Sequence, residues 1–263
     1  MGEDEKCTQD QGLFLKKYNA LTHNNRKNPI EGEFYHIFIH KVVEKLNEGL
    51  APTIAIVGKQ GLGKSMTAMR IGEILHHEVN AMAGDFNPES QLVYDVLPFL
   101  ERIHDITPPK EDGKPCPERE VFIFDEGGVN LASVDWRSQE NRGVQEVLQT
   151  MRIKNCVYIF VLPEINKLDK QARENLDFIV TMKDIGKAYV KGIKYNHDRL
   201  DNKYRRFYVP YGFWDVDKPV DGIVESYRKV EIPNKNKFIE ERIEKIKEKR
   251  KEEAEEMDVD DLI

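Results

Sequence analysis

The chain has 263 residues, of which 40% are apolar, and it carries a net charge of -7 with an isoelectric point near 5.6. This length suffices for one sizeable hydrophobic core, and the acidic balance argues against coating nucleic acid or an acidic membrane with the whole surface. Its three cysteines, Cys7, Cys116 and Cys156, lack paired spacing, which favours a reducing compartment over a disulfide framework or a zinc site. With no secretory signal and no apolar run of membrane-spanning length, we expect a cytoplasmic protein without a membrane segment.

The first third of the chain predicts a polar lead followed by a helix, a strand and a second helix. Residues 1–30 are polar and without periodicity. Apolar residues at helical spacing predict a helix from Phe34 to Leu46. The branched apolar run Thr53–Val57 is typical of a strand buried on both faces, and helical spacing resumes from Ser65 to Leu75.

The segment GKQGLGKS, which joins this strand to the second helix, matches the phosphate-binding pattern G-x-x-x-x-G-K-[ST]. Its glycines allow successive backbone N–H groups to face phosphates, while Lys64 reaches the β- and γ-phosphates and Ser65 binds magnesium. The sequence therefore predicts ATP and Mg²⁺ as ligands; the alternative is a glycine-rich turn without a ligand. The predicted ATP-binding residues are Gly58, Lys59, Gln60, Gly61, Leu62, Gly63, Lys64, Ser65 and Met66.

The rest of the chain alternates short apolar runs with helical or loop-like stretches. Residues 91–95, 121–125, 157–162 and 178–182 are predicted strands, which indicates an α/β fold with a mainly parallel sheet. A β-hairpin is predicted over 187–211, a short helix over 220–229 and a charged helix over 235–256. We therefore divide the chain into the lead 1–30, a core 31–212 that includes the hairpin, and an extension 213–263 with helices and an acidic tail.

The run VFIFDEGG places two carboxylates at the end of a predicted buried strand. Ligands of open α/β sheets bind at this end, so we expect Asp125 to hold magnesium through water. Glu126 is then the predicted catalytic base that polarises the attacking water, with Lys64 as its catalytic partner on the phosphates. This arrangement favours ATP hydrolysis over phosphoryl transfer to a small molecule; the alternative is that both carboxylates merely cap the strand.

Four segments together resemble a known family: GKQGLGKS, FNPESQLVYDVLPFLERI, VFIFDEGGVNL and VLQTMRIKNCVYIFVLPEINKLDKQARENLDFIV. They resemble the ATPase core of the FtsK–HerA superfamily, and more closely its compact zonular-occludens-toxin-type and viral packaging-type members in archaea and their mobile elements. The resemblance covers roughly residues 30–210. It implies a RecA-like core that works as a hexameric ring of copies and moves DNA or another polymer. In this core an added strand separates the phosphate loop from the strand that ends at Asp125, which is called the Walker B strand.

The resemblance also implies that an arginine from the neighbouring copy completes each site. Arg173 is the first choice and Arg152 the second; the alternative for each is an ordinary surface arginine. Many members end the fourth core strand in a glutamine that senses the γ-phosphate. Here that strand is followed by Pro163, Glu164 and Ile165, so Glu164 and Asn166 are the candidate substitutes.

A local basic segment lies between residues 183 and 206, where eight basic residues stand against three acidic ones, a net charge of +5. Aromatic residues are interleaved with them, as in surfaces that bind single-stranded nucleic acid, so we predict DNA contact here. The alternative is a hairpin whose aromatics pack onto the core.

The predicted function is an ATP-driven motor on DNA. Three alternatives stay open: an ATPase that extrudes protein, a nucleotide-dependent switch or loader that binds protein partners, and a small-molecule kinase.

Overall fold

A computed structural model describes residues 36–79, 81–82, 84–94, 96–106, 119–125, 155–168, 173–198 and 203–260. Three features of the sequence lie outside these residues: the polar lead 1–30, the segment 107–118 of the proline-rich loop, and the stretch 126–154 with Glu126 and Arg152.

The described part of the chain is built on one sheet of seven strands. They are β1 Thr53–Val57, β2 Leu92–Val93, β3 Val121–Phe124, β4 Val157–Leu162, β5 Phe178–Asp184, β6 Lys187–Asp198 and β7 Lys203–Asp215. The spatial order is β2-β3-β4-β1-β5-β6-β7. Strands β1 to β5 are parallel, whereas β6 and β7 form an antiparallel hairpin beside β5. The predicted α/β class is therefore confirmed, and β4 is the strand that separates the phosphate loop from β3.

Helices cover both faces of the parallel strands. They are α1 Ile37–Asn47, α2 Lys64–Glu73, α3 Pro88–Gln91, α4 Val96–Asp105 and α5 Asp221–Asp260, with a π-helical turn at Ile74–Glu78 and a 3₁₀ turn at Ile165–Lys167. In β1, Ile54 and Ile56 belong to the core formed with α1 and α2, while Ala55 belongs to the core that includes α4. Both faces are buried because parallel strands carry their crossover helices on either side.

The second strand, Leu92–Val93, starts one residue later than predicted because a helix ends at Gln91, and it does not include Tyr94. The Asn87 side chain accepts a hydrogen bond from Glu89 N at 3.0 Å, and Pro88 occupies the first helical position. The Gln91 side chain accepts in turn from Asn87 N at 3.2 Å. This reciprocal capping is typical of helix starts and takes Gln91 out of the strand.

The prediction of two separate helices after the hairpin was wrong, since α5 runs without interruption through Pro233. Proline removes one backbone N–H and disturbs the preceding turn. The carbonyl that loses its donor is Lys229 O, four residues before Pro233; Lys229 is exposed, so water can reach this carbonyl, and the side chain of Asn234 donates to the next carbonyl, Val230 O, at 2.8 Å. In the described part of the chain, no helix combines the length and the apolar character that crossing a membrane requires.

Candidate functional site

The loop between β1 and α2 has the backbone that a phosphate-binding loop needs. Gly61 and Gly63 have φ angles of 84° and 80°, a left-handed conformation that glycine adopts without strain. Gly63 is the N-cap of α2, so the free N–H groups of the first helical turn face the loop. Anions bind favourably at such a helix terminus. The local sequence therefore folds as the motif predicts.

Lys64 lies inside this loop. Its side chain is buried, with 7% of its surface exposed. The amino group donates hydrogen bonds to the carbonyl oxygens of Gly58 at 2.9 Å and Lys59 at 3.2 Å. The positive charge is thus held where the loop backbone and the start of α2 would meet a phosphate group.

Asp125 follows β3 directly and lies at the same carboxyl edge of the sheet as the loop. Its carboxylate is buried, with 5% exposed. A residue that the sequence reading missed connects it to the phosphate-binding loop: the hydroxyl of Tyr227, on α5, donates to Asp125 Oδ2 at 2.8 Å, and the nearby Ser65 hydroxyl slightly lowers the pKa of the same phenol. Because the same phenol interacts with both groups, the Ser65 hydroxyl and the Asp125 carboxylate lie near one another, as the motifs predict.

Burial sets the protonation of the phenols around this carboxylate. Burial and, to a smaller extent, the charge of Asp125 raise the pKa of Tyr227 well above 10, so its hydroxyl keeps the proton that it donates. Burial likewise raises the pKa of Tyr94, which follows β2 and interacts electrostatically with Asp125 and Glu231. The Tyr94 hydroxyl is buried without a hydrogen-bond partner among the described residues.

The residues at this edge fit a magnesium–nucleotide complex. Mg²⁺ prefers oxygen ligands and is usually bound by one or two protein side chains together with substrate phosphates. Ser65 and Asp125 supply a hydroxyl and a carboxylate, and the buried Tyr94 hydroxyl is a further polar atom that interacts electrostatically with Asp125. Among the described residues no cluster of three or more His, Cys, Asp or Glu side chains could hold a metal ion without phosphate oxygens.

The turn after β4 lies between the loop and Asp125, because β4 is placed between β1 and β3. Gly58 N donates to Pro163 O at 3.2 Å, which ties this turn to the start of the loop. Glu164 and Asn166 both have exposed side chains there. Both therefore remain candidates for a γ-phosphate sensor, and this role stays a prediction.

Arg173 is placed far from this edge in the same chain. It precedes β5, whose amino end pairs with the beginning of β1, whereas the loop follows the carboxyl end of β1. The five residues of β1 span about 17 Å. Glu126 and Arg152 lie outside the described residues, so the structure places neither.

The hairpin β6–β7 extends past the amino end of β5 and exposes its aromatic side chains there. Tyr195, Phe207 and Tyr208 are 43%, 47% and 51% exposed, which rules out packing onto the core for these three. The Arg206 guanidinium lies 5.5 Å from the centre of the Tyr195 ring and donates to Arg173 O at 2.9 Å. Arg173 and the end of the hairpin thus form one surface.

Sequence reading missed Tyr227 because its partners are about a hundred residues away along the chain. The only local signal was the spacing of Ile223, Val224 and Tyr227, which predicts one apolar face of a helix. All three are buried, at 7%, 4% and 2% exposure. That spacing indicates that the helix packs against other elements, but not that it packs near the carboxyl edge of the sheet where the loop and Asp125 lie. This edge is called the nucleotide edge below.

No family model matches the sequence, and a comparison with curated proteins finds no match. Among solved structures, ATPases 2 and 3 of EssC from Geobacillus thermodenitrificans are similar with a TM-score of 0.37 and 13% identity, over 74% of this chain and 45% of that one. The N-terminal domain of zonular occludens toxin from Neisseria meningitidis is similar with a TM-score of 0.32 and 16% sequence identity, over 60% of this chain and 94% of that one. This chain thus spans less than half of the EssC chain. Likenesses this distant do not establish what the chain does, so its function has to be inferred from its own residues.

Proposed function

We propose that this chain binds ATP with Mg²⁺ through residues 58–66 and hydrolyses it to move DNA. The observation that carries the ATPase part is the convergence of Lys64, Ser65 and Asp125 at the carboxyl edge of β1 and β3. An ammonium group inside a glycine-rich loop, a hydroxyl and a carboxylate are what a phosphate–magnesium complex requires. A ligand-free turn between strand and helix would not need Asp125 beside Ser65.

Each residue then has a defined task in hydrolysis. Lys64 and the N–H groups at the start of α2 bind the phosphates and neutralise their charge. Bound Mg²⁺ would supply further neutralisation of the charge that develops on the phosphate oxygens. Ser65 and Asp125 hold the metal in place, and Glu126, next in the chain, accepts a proton from the attacking water.

The DNA part of the proposal is supported by the exposed end of the hairpin. Lys194 is exposed beside Tyr195, and Arg206 lies over the Tyr195 ring. Lysine and arginine neutralise phosphates, and exposed aromatic rings stack on bases without reading their sequence. A surface of this kind suits a protein that moves along DNA.

The proposed assembly is a homo-oligomeric ring, hexameric as the family resemblance implies. Arg173 lies about one strand length from the loop of its own chain, too far for its side chain to reach. A role in hydrolysis therefore requires the site of a neighbouring copy. An arginine that completes a neighbour's site raises the rate of hydrolysis about 10³- to 10⁵-fold.

A nucleotide-dependent switch that binds a protein partner is the second candidate. The observation that favours it is the contact of α5 with the site through Tyr227, because the same helix carries exposed isoleucines farther along. Ile239, Ile243 and Ile246 are each about half exposed and repeat at helical spacing. A helix of this kind can present an apolar seam to another protein.

One set of measurements separates these functions. ATP binding and hydrolysis are measured for the wild-type chain and for Lys64→Ala, without DNA and with single- or double-stranded DNA, alongside the mass of the assembly. We expect Mg²⁺-dependent hydrolysis that DNA stimulates, and a loss of at least about 100-fold in Lys64→Ala. Binding without hydrolysis under every condition would favour the switch, and equal nucleotide binding by both proteins would contradict a nucleotide site.

The role of Glu126 is tested by Glu126→Gln. The amide is similar in shape but cannot accept a proton from water, so ATP binding should persist while turnover is lost. Binding is measured with a fluorescent ATP analogue and turnover by phosphate release. Normal turnover in Glu126→Gln would show that another group activates the water.

A further inference from the structure

The first three turns of α5 are docked on the core beside the candidate site. Ile223, Val224 and Tyr227 are buried. Val220 N donates to Glu73 Oε1 at 3.3 Å, which ties the start of the helix to α2. Ser226 Oγ donates to Glu89 Oε1 at 3.3 Å, which ties it to α3. The docked segment, residues 221–231, thus contacts both α2 and α3, and Tyr227 within it reaches Asp125.

The remainder of α5 makes a different surface. From residue 235 onward, every side chain that the structure describes is exposed. Pro233 stands at the boundary between the two parts and removes one backbone hydrogen bond from the helix. The position of the whole helix therefore depends on the docked segment 221–231.

Within that segment, only Tyr227 is seen to hydrogen-bond to the expected metal ligands. Its hydroxyl donates to Asp125 Oδ2 at 2.8 Å, with Ser65 nearby. A magnesium ion held at Asp125, directly or through water, would need the carboxylate oxygen that accepts the phenol hydrogen, and it would lie beside that hydrogen, which carries a partial positive charge. The Tyr227 hydroxyl and the hydrated magnesium ion therefore compete for the carboxylate of Asp125.

We propose that Tyr227 makes docking of α5 and binding of Mg²⁺–nucleotide compete, so that the carboxyl-terminal helix responds to occupancy of the site. This inference rests on the proposed nucleotide site. When the Mg²⁺–nucleotide complex binds, the Tyr227 hydroxyl leaves Asp125 and Ser65, and residues 221–231 loosen from α2 and α3. Linkage is reciprocal: a partner that pulls α5 away strengthens nucleotide binding by the same factor.

Nucleotide affinity gives the first test. Fluorescent ADP is titrated into the wild-type chain, Tyr227→Phe and Tyr211→Phe, with Mg²⁺ and with EDTA. Phenylalanine keeps the buried ring but removes the competing hydroxyl, so Tyr227→Phe should bind Mg²⁺–ADP about tenfold more tightly and ADP in EDTA with unchanged affinity. Tyr211→Phe, a matched control on β7, should match the wild type. Unchanged or weaker Mg²⁺–ADP binding by Tyr227→Phe would overturn the competition.

Hydrogen exchange of the wild-type chain gives the second test, which needs no variant at position 227. Amides of residues 221–231 should exchange severalfold faster with Mg²⁺–ADP than without nucleotide or with ADP in EDTA. Equal or slower exchange would overturn the proposal. Lys64→Ala distinguishes failure of the proposed nucleotide site from failure of the proposal for Tyr227. If Lys64→Ala binds nucleotide as the wild type does, the nucleotide site itself is wrong. If Lys64→Ala loses binding, but residues 221–231 of the wild type exchange equally with and without Mg²⁺–ADP, only the role of Tyr227 is wrong.

Discussion

The nucleotide edge of the sheet and the end of the hairpin differ in how they hold polar side chains. At the nucleotide edge Lys64 and Asp125 are almost fully buried and hydrogen-bonded. At the end of the hairpin Tyr195, Phe207 and Tyr208 are about half exposed, with Lys194 and Arg206 beside them. Buried groups in fixed positions suit a small ligand of defined shape, whereas an exposed basic and aromatic surface suits a long polyanion.

The two regions are also separated in space. The loop follows the carboxyl end of β1, whereas the end of the hairpin and Arg173 lie beyond the amino end of β5, about one strand length away. Communication between them within one chain must pass through the sheet. In a ring, it can pass from the hairpin side of one copy to the nucleotide edge of the next.

The largest expected effect is that of replacing Arg173, which lies on the hairpin side of its own chain but is proposed to act at a neighbour's nucleotide site. Arg173→Ala should lower steady-state ATP hydrolysis about 10³- to 10⁵-fold without changing nucleotide affinity, because the arginine would act only on a neighbour's site. Arg228→Ala, an exposed arginine on α5, is the control.

Mixing two inactive proteins sharpens this test. Lys64→Ala retains Arg173, and Arg173→Ala retains an intact loop. Mixed rings should therefore recover hydrolysis at the interfaces where an intact arginine meets an intact loop. A normal rate in Arg173→Ala alone would remove the arginine from the site.

The second effect concerns the π-helical turn that follows α2. The buried neutral ring of His76 donates from Nδ1 to Gly72 O at 2.8 Å and accepts from Gln91 at Nε2, 3.0 Å away. Burial lowers the pKa of His76 to about 4, with a smaller lowering by His77 opposed by Asp85. The unfolded chain, with a histidine pKa near 6.5, therefore binds the proton more readily than the folded chain.

This difference predicts how stability depends on pH. The contribution of His76 is complete above pH 6.5 and is lost as the pH falls from about 6.5 to about 4, by an amount of the order of 3 kcal/mol. Denaturant unfolding of the wild type should show this loss, and His76→Gln should show a shallower one. Parallel curves for the two proteins would contradict it.

A third, smaller effect tests the packing of α2 against the segment before α3. A Cβ at Gly72 would lie 2.2 Å from Cε2 of Phe86, so Gly72→Ala forces the ring to move. We expect a loss of about 1–3 kcal/mol in the free energy of unfolding, measured by denaturant titration. Gly222→Ala is the control, because a Cβ at Gly222 meets no atom within 4 Å. Equal stability of the two variants would show that the contact is not tight.

The smallest effect concerns the hairpin alone. Lys191→Gln with Lys194→Gln should weaken DNA binding severalfold, and it should lower the slope of log affinity against log salt by about 2. Fluorescence anisotropy with labelled DNA at several salt concentrations measures both. Lys229→Gln with Lys247→Gln removes two exposed lysines from α5 and should leave the slope unchanged. An unchanged slope in the hairpin variant would place DNA elsewhere.

How far the sequence predicts the structure depends on the distance between interacting residues. Strand β1, its loop and α2 form from consecutive residues whose spacing and glycines determine the local backbone, so they were predicted well. Asp125 could be placed because a buried strand ends directly before it. The contact of Tyr227 with Asp125 could not be predicted from the sequence, since it depends on how α5 packs on α2 and α3.

Two local sequence signals, a helix-capping pattern before β2 and a proline inside α5, were interpreted incorrectly. Asn87, Pro88 and Gln91 carry a helix-capping pattern that shortens the predicted strand to Leu92–Val93. The predicted break between the helices 220–229 and 235–256 was wrong, because an exposed helix can continue through a proline such as Pro233 when water hydrates the freed carbonyl and the Asn234 side chain bonds the next one. Solvent exposure, which decides this outcome, is a property of the folded chain.

The measurement that tests the central claim most directly is the ATP hydrolysis rate as a function of DNA concentration, for the wild type and for Lys191→Gln with Lys194→Gln. The proposed function predicts that DNA raises the wild-type rate. It predicts that the hairpin variant keeps the basal rate but needs severalfold more DNA for the same stimulation. Hydrolysis that is the same with and without DNA in the wild type would contradict a DNA motor, and equal DNA response in both proteins would contradict the hairpin as its track.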